Sequence, residues 1–297
     1  MLRLGDGSVA TPSTGIALPL FLDEVDTTGE EAPTSVVQSI ALPLSVSLAM
    51  GSTSGVAPGS SQWFDTEGFP TSFASDNSAI VVSCYSVPPG SPILDSNTTI
   101  KVVGVVRADG SMDFSSTATV FPWYGRDGFQ VALRNAVTSD GSSYWLAGSP
   151  GACGYTDVSS TCLSKGGIFH VPFGGDVGLA SSPAYVTTTP NDPGYYDARP
   201  LGIYAGQLFV MGSSLDSPSA EGLWSLGGGL PLTTTVPTQV AGTAGVASNP
   251  WTFVFADDNN VYIAVSRAVM CVCVALPALL NDVDYSCDSS HLQWWYW

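Results

Sequence analysis

Two arginines hold matching places in a repeated segment, Arg134 six residues before Asp140 and Arg199 seven before Gly206. Each falls on a strand that leads into a tight turn. Trp251 takes the comparable place in a later copy, and Tyr196 and Asp197 stand just ahead of Arg199. A guanidinium is a planar, permanently charged fork of donors that matches a carboxylate, and an aromatic ring offers a face to a cation or to the flat side of a sugar. Brought together, these five residues would suit an anionic or sugar ligand. The competing reading is that each arginine pairs with a carboxylate of the neighbouring unit and only stiffens the fold.

Other chemistry is sparse. The two histidines, His170 and His291, lie beside no nucleophile and at no metal-ligand spacing; His170 alternates between Phe169 and Val171 as a strand residue would. The chain has no nucleophile elbow, phosphate-binding Gly-rich loop or zinc-protease helix motif. Asp23, Glu24 and Asp26 cluster, as do Asp257 and Asp258, but a calcium loop needs six to eight converging oxygens, and acidic residues at such places more often form turns. No metal and no cofactor are expected. Of six cysteines, Cys153 and Cys162 bracket a polar loop between two strand candidates and suit a loop-closing disulfide, worth roughly 2 to 3 kcal/mol in an oxidising compartment. Cys271 and Cys273 are too close, and without a second pair, for a zinc site. The triplet Asn97-Thr98-Thr99 is an acceptor pattern for N-glycosylation.

Which elements would position these residues? Charged residues make up 11% of the 297, while 32 Gly and 21 Pro punctuate short apolar runs. That is the texture of many short strands joined by turns. A hydrophobic share of 44% suffices for a packed core. Within it one unit recurs four times: a short strand, a tight Asp, Asn or Gly turn, then an apolar strand. The turns are Ser75-Asp76-Asn77-Ser78, Ser139-Asp140-Gly141-Ser142, Tyr204-Ala205-Gly206 and Asp257-Asp258-Asn259-Asn260, leading into AIVVSCY, YWLAGS, QLFVMGSS and VYIA. Asn and Gly supply the positive φ that two-residue hairpin turns require. A third strand follows in three copies, at 99–106, 166–173 and 222–228, and segments such as 115–121 and 232–240 can add a fourth.

Four antiparallel strands per repeat is the plan of a propeller blade. The expected fold is therefore all-β, a β-propeller of four-stranded antiparallel blades covering residues 1–264. GIALPLFLDE at 15–24 and SVVQSIALPL at 35–44 would supply strands of a further blade, for an incomplete ring of about four to five blades. Residues 265–287 break the pattern and read as a non-native insert, a retained intron or other gene-model error, or else as a short helix. HLQWWYW, within 288–297, would then begin a further propeller strand. The segments LRLGDGS, PLFLDEVDTTG, SSYWLAGS and AGQLFVMGSS resemble secreted β-propeller-like proteins of kelch-like or NHL-like repeat architecture. That resemblance implies a fold over most of 1–264 and no activity, since its motifs are structural turns.

With a formal charge of −17 and no basic stripe, nucleic acid is not an expected partner, because phosphate binding needs clustered cations, and membrane insertion is not expected, because the apolar run 268–280, thirteen residues with Pro277, is too short to span a bilayer. The leading function is a non-enzymatic binding or scaffold module of the extracellular space, holding a glycan or protein at the channel mouth. A propeller-type hydrolase or lyase, or an incomplete gene product without function as written, are the alternatives. Sequencing the spliced transcript across 265–287 tests the insert: the expected message lacks the codons for Cys271 and Cys273, and a message that keeps them removes the error reading.

Overall fold

Alternation of small apolar side chains between two directions is what a strand buried on both faces requires, and it governs most of the chain. The computed structural model describes residues 2–4, 17–26, 35–43, 46–48, 71–91, 100–118, 133–148, 167–177, 184–185, 198–212, 222–233, 235–244, 250–265, 268–273 and 295–296. Among these the structure is all β, with no helix. The N-terminal strands are β1 (Leu2–Leu4), β2 (Leu18–Val25), β3 (Val36–Ala41) and β4 (Ser47–Leu48). They are joined in one nine-stranded sheet with β5 (Thr71–Phe73), β6 (Ala79–Tyr85), β7 (Lys101–Arg107), β8 (Met112–Ala118) and β12 (Asp176–Val177).

Four antiparallel meanders follow one another. The first is β5-β6-β7-β8, inside the nine-stranded sheet. The second runs β9 (Leu133–Val137), β10 (Ser143–Gly148), β11 (Gly167–Pro172) and β13 (Ala184–Tyr185). Third come β14 (Ala198–Tyr204), β15 (Gln207–Gly212), β16 (Gly222–Leu226) and β17 (Pro237–Gln239), and last β18 (Pro250–Asp257), β19 (Asn260–Val265), β20 (Ala268–Cys273) and β21 (Trp295–Tyr296). Among the described residues every pairing is antiparallel except one: β12 runs parallel to β8, so the link between β11 and β13 of the second meander clasps the outer edge of the first. Gly174 N donates to Ser116 Oγ at 2.9 Å and Thr117 N to Gly175 O at 2.9 Å to hold that clasp.

The turns are the ones the sequence marks. Asp76, Asp140 and Asp257 each accept the backbone N–H two residues ahead at 2.8 Å, closing an Asx turn. Asn77 and Gly141 adopt positive φ, as do both Ala205 and Gly206, the pair that reverses β14 into β15. Buried Thr138 locks the second turn, accepting from Gly141 N at 2.8 Å and donating to Ser143 O.

Successive meanders bury faces against one another, the first three on both sides. Val81, Val103 and Val105 of the first meet Ala136, Tyr144, Leu146, Phe169 and Val171 of the second. The opposite face of the second, Val137, Trp145, Ala147 and Ile168, meets Leu201, Leu208, Val210 and Leu226 of the third. Phe209, Met211 and Leu223 then meet Phe253, Val261 and Ile263 of the fourth. On the first meander's other face, Val82, Cys84, Val102 and Val106 receive Leu20, Leu22, Leu42 and Val46 from the N-terminal strands. Each large side chain fully buried this way contributes about 1.5 to 3 kcal/mol, so the seams hold the order of the array.

The third strand of the fourth meander is Ala268–Cys273, inside the segment 265–287. It pairs with all of Asn260–Val265, partner by partner from Asn260↔Cys273 to Val265↔Ala268, and Trp295–Tyr296 takes the fourth position beside it. Only residues 266 and 267 separate the two strands, the shortest link a hairpin allows, and this apolar run with its valines suits a strand.

A Cβ added at Gly202 of β14 would lie 2.8 Å from the ring of Phe253 on β18. Gly202→Val is therefore expected to force the third and fourth meanders apart and cost about 1 to 3 kcal/mol, read as a lowered urea midpoint, whereas Gly202→Ala should cost less.

Candidate functional site

The first strands of successive meanders lie side by side. β5 packs on β9, β9 on β14 and β14 on β18. Hydrogen bonds stitch this row: Ser72 Oγ donates to Ala136 O at 2.7 Å, Ser75 N to Thr138 O at 3.1 Å, and Leu201 N to the side-chain oxygen of buried Asn135 at 3.1 Å. At the turn end Tyr204 donates its hydroxyl to Asp258 at 2.7 Å and stacks on Phe255 with ring centres 4.5 Å apart.

Register shifts near the start of three of these strands, and β18 shifts again at its turn end, where Ala256 is extra between Phe255 and Asp257. On β9, Asn135 faces Ala147 and Leu133 faces Gly148, so Arg134 is an extra residue with no partner in β10. On β14, Leu201 faces Val210 and Ala198 faces Gly212, so Arg199 and Pro200 together oppose Met211. On β18, Thr252 faces Ala264 and Pro250 faces Val265, which leaves Trp251 as the extra residue. These are β-bulges, each near the end of its strand away from the hairpin turn, on three consecutive first strands. A bulge disrupts the ladder, bends its strand and re-aims a side chain, and bulges concentrate beside functional sites. Pro200 fits such a place because a residue without N–H removes no ladder bond there.

The Leu201 to Asn135 bond fixes how two of the bulges relate. Residues 135 and 201 are adjacent across the seam between the second and third meanders, with Arg134 one residue before the first and Arg199 two before the second. Of the five residues the sequence nominates, Arg134, Arg199 and Trp251 thus occupy equivalent bulges on neighbouring strands. Tyr196 and Asp197 lie outside the described residues, as do Cys153, Cys162, Asn97 and His291.

The remaining candidates have structural employment. Asp23 is buried and takes Arg3 as a two-point partner, at 2.5 and 3.2 Å, along with the Ser39 hydroxyl at 2.5 Å. The hydrogen bond from Arg3, then that from Ser39, holds its carboxyl below the usual range. Asp257 is held by Asn260 and by Asn259 N, which likewise lower its pKa. No group of three metal-ligating side chains occurs among the described residues. Cys84 is buried and free, and burial pushes its thiol far above the ordinary range, so it is no nucleophile at neutral pH. Sequence reasoning passed over Lys101, an almost fully buried amine on β7 that burial pushes down to about 8; a charged residue at an inward strand position was the signal for it.

Compared with protein-family models and with curated proteins, the chain matches none.

His170 is half-buried on β11, tilted against Trp145 with ring centres 5.4 Å apart, and its Nε2 is buried with no hydrogen-bond partner. Trp145 in turn donates to Pro231 O at 2.7 Å across the seam. Burial lowers the His170 pKa from its ordinary value of 6.5. A base that resists protonation when folded makes the unfolded chain bind more protons below that value, so stability is lost as pH falls through about 6.5. Urea unfolding at pH 7.5 and 5.5 should therefore show His170→Phe losing less stability on acidification than the parent.

Proposed function

We propose that the chain is a β-propeller of four-stranded antiparallel blades, an incomplete ring of four to five, that works as a non-enzymatic extracellular binding or scaffold module. Its ligand, a glycan or a protein, is held at the channel mouth by Arg134, Arg199 and Trp251. One observation carries this: the three residues fall on equivalent bulges of consecutive first strands. In a propeller the first strand of each blade borders the central channel, so a device repeated there at one height brings its residues towards a common opening.

The stacking order supports the architecture. Successive meanders bury alternate faces against each other, and their first strands are neighbours, as blades arranged about an axis would be. Disruption of a ladder at the same register three times weakens three hairpins by the same device. A purely structural repeat would gain nothing from placing its scarce cations and a Trp there, and binding accounts for both the bulge and the residue types.

The double substitution Arg134→Ala with Arg199→Ala is expected to abolish ligand capture on arrays of glycans and cell-surface proteins while the thermal midpoint stays unchanged. Undiminished capture by the double variant refutes the site.

A further inference from the structure

We propose that the two end faces of the stacked array are docking surfaces for a second copy of this chain, joined head to tail. The inference goes beyond the binding module, rests on the stacking order alone and asks nothing of Arg134, Arg199 or Trp251. Along the second strand of each meander, alternate residues divide between the preceding neighbour and the following one. On β10, Tyr144 and Leu146 face back to the first meander, while Trp145 and Ala147 face forward to the third. On β15, Leu208 and Val210 face back, and Phe209 and Met211 face forward to the fourth. On β19, Val261 and Ile263 face back, so Tyr262 and Ala264 hold the forward places. An aromatic residue with an apolar one two positions on thus recurs three times. Trp145 and Phe209 are each 2% exposed beneath the next sheet, whereas Tyr262 is 44% exposed and its cross-strand partner Val254 62%. The fourth meander presents a forward face of the kind that elsewhere receives a neighbour, and here it is open.

The opposite end of the array supplies the complementary face. Leu20, Leu22 and Ile40 of the N-terminal strands pack on the backward face of the first meander. Alternation puts Phe21 and Asp23 on the far side, with Arg3, Ala41 and Ser39 as their ladder partners. The charges there answer each other, since Arg3 pairs with Asp23 and sets its guanidinium 4.3 Å from the centre of the Phe21 ring. Ala41, opposite Phe21, is exposed. On the forward face Thr252, Val254, Tyr262 and Ala264 carry no charge. Each seam described within the chain joins a forward face to a backward one, and a second copy brings the missing member of both pairs. Two forward faces would set Tyr262 against Tyr262, a contact that none of these seams uses. Charge narrows the contact further, because chains of −17 repel one another over the rest of their surface. Such a contact is heterologous, so each chain keeps one more face for ring closure or for a third copy.

Sedimentation equilibrium of the full chain, from about 1 to about 200 μM, tests this. The mean mass is expected to rise with concentration from one chain of 30.7 kDa to at least two. Tyr262→Glu and Ala41→Glu, both at exposed positions, each put an unpaired charge into the contact and should weaken self-association by about a hundredfold or more. Mixed in equal amounts, the two variants should form a one-to-one pair, because each retains the face that the other has lost. Added salt should strengthen association by screening the shared negative charge. Thermal melting of each variant checks that it is folded. A chain that stays monomeric throughout, or association indifferent to both substitutions, overturns the proposal. Self-association that survives Ala41→Glu, or a mixture that fails to pair, overturns the head-to-tail arrangement. Weakening by salt overturns the apolar contact. The double variant Arg134→Ala with Arg199→Ala should associate as the parent does, so ligand capture and self-association are read independently.

Discussion

Apolar faces buried sheet against sheet are the constraint on which everything else rests. A strand whose two sides both carry Val, Leu or Ile cannot leave either in water without losing on the order of 1.5 to 3 kcal/mol per large side chain. In the second meander Tyr144 and Leu146 point one way and Trp145 and Ala147 the other, and each set is essentially inaccessible to solvent. A single meander of this composition has no stable existence alone. It needs a neighbour on each side, and the chain provides them in sequence order. Polar stitches such as Leu201 N to Asn135 and Trp145 Nε1 to Pro231 O add little energy beside that burial, but they fix the sliding register between sheets, which apolar contact leaves loose.

That register is what gives the bulges meaning. Alternation of side chains has a period of two, so an extra residue on one strand flips all that follows to the other face unless the ladder absorbs it. The first strands β9, β14 and β18 each absorb the extra residue near their start, and beyond it the pattern resumes: Asn135 and Val137 turn to the third meander while Ala136 turns to the first.

Much of this was legible in the residues. Turns built on Asp76-Asn77, Asp140-Gly141 and Asp257-Asp258-Asn259 announce themselves because few residues tolerate positive φ or close an Asx turn, and the strands on either side follow from their apolar runs. Counting back from the turns also reaches Arg134, Arg199 and Trp251. Their bulges could not be read off, because a bulge is a mismatch between two strands and a single strand carries no sign of it. The strand Ala268–Cys273 escaped for another reason: a run buried in continuous apolar sequence has no period, and the link before it, Ser266-Arg267, lacks the Gly or Asn that marks a turn. Lys101 was hidden by its setting inside a valine-rich strand, where charge is normally absent.

The parallel clasp of β12 on β8 has a bearing on how the protein behaves in a crowd. An outermost strand normally offers a bare row of amide and carbonyl groups, an open template on which another chain can add and begin a fibril. Here Asp176 and Val177, arriving from the next meander, occupy that row opposite Thr117 and Ala118. The chain thus covers part of its own border: strand addition opposite Thr117 and Ala118 is blocked for as long as the two neighbouring units stay docked, a cover lent by one repeat to another.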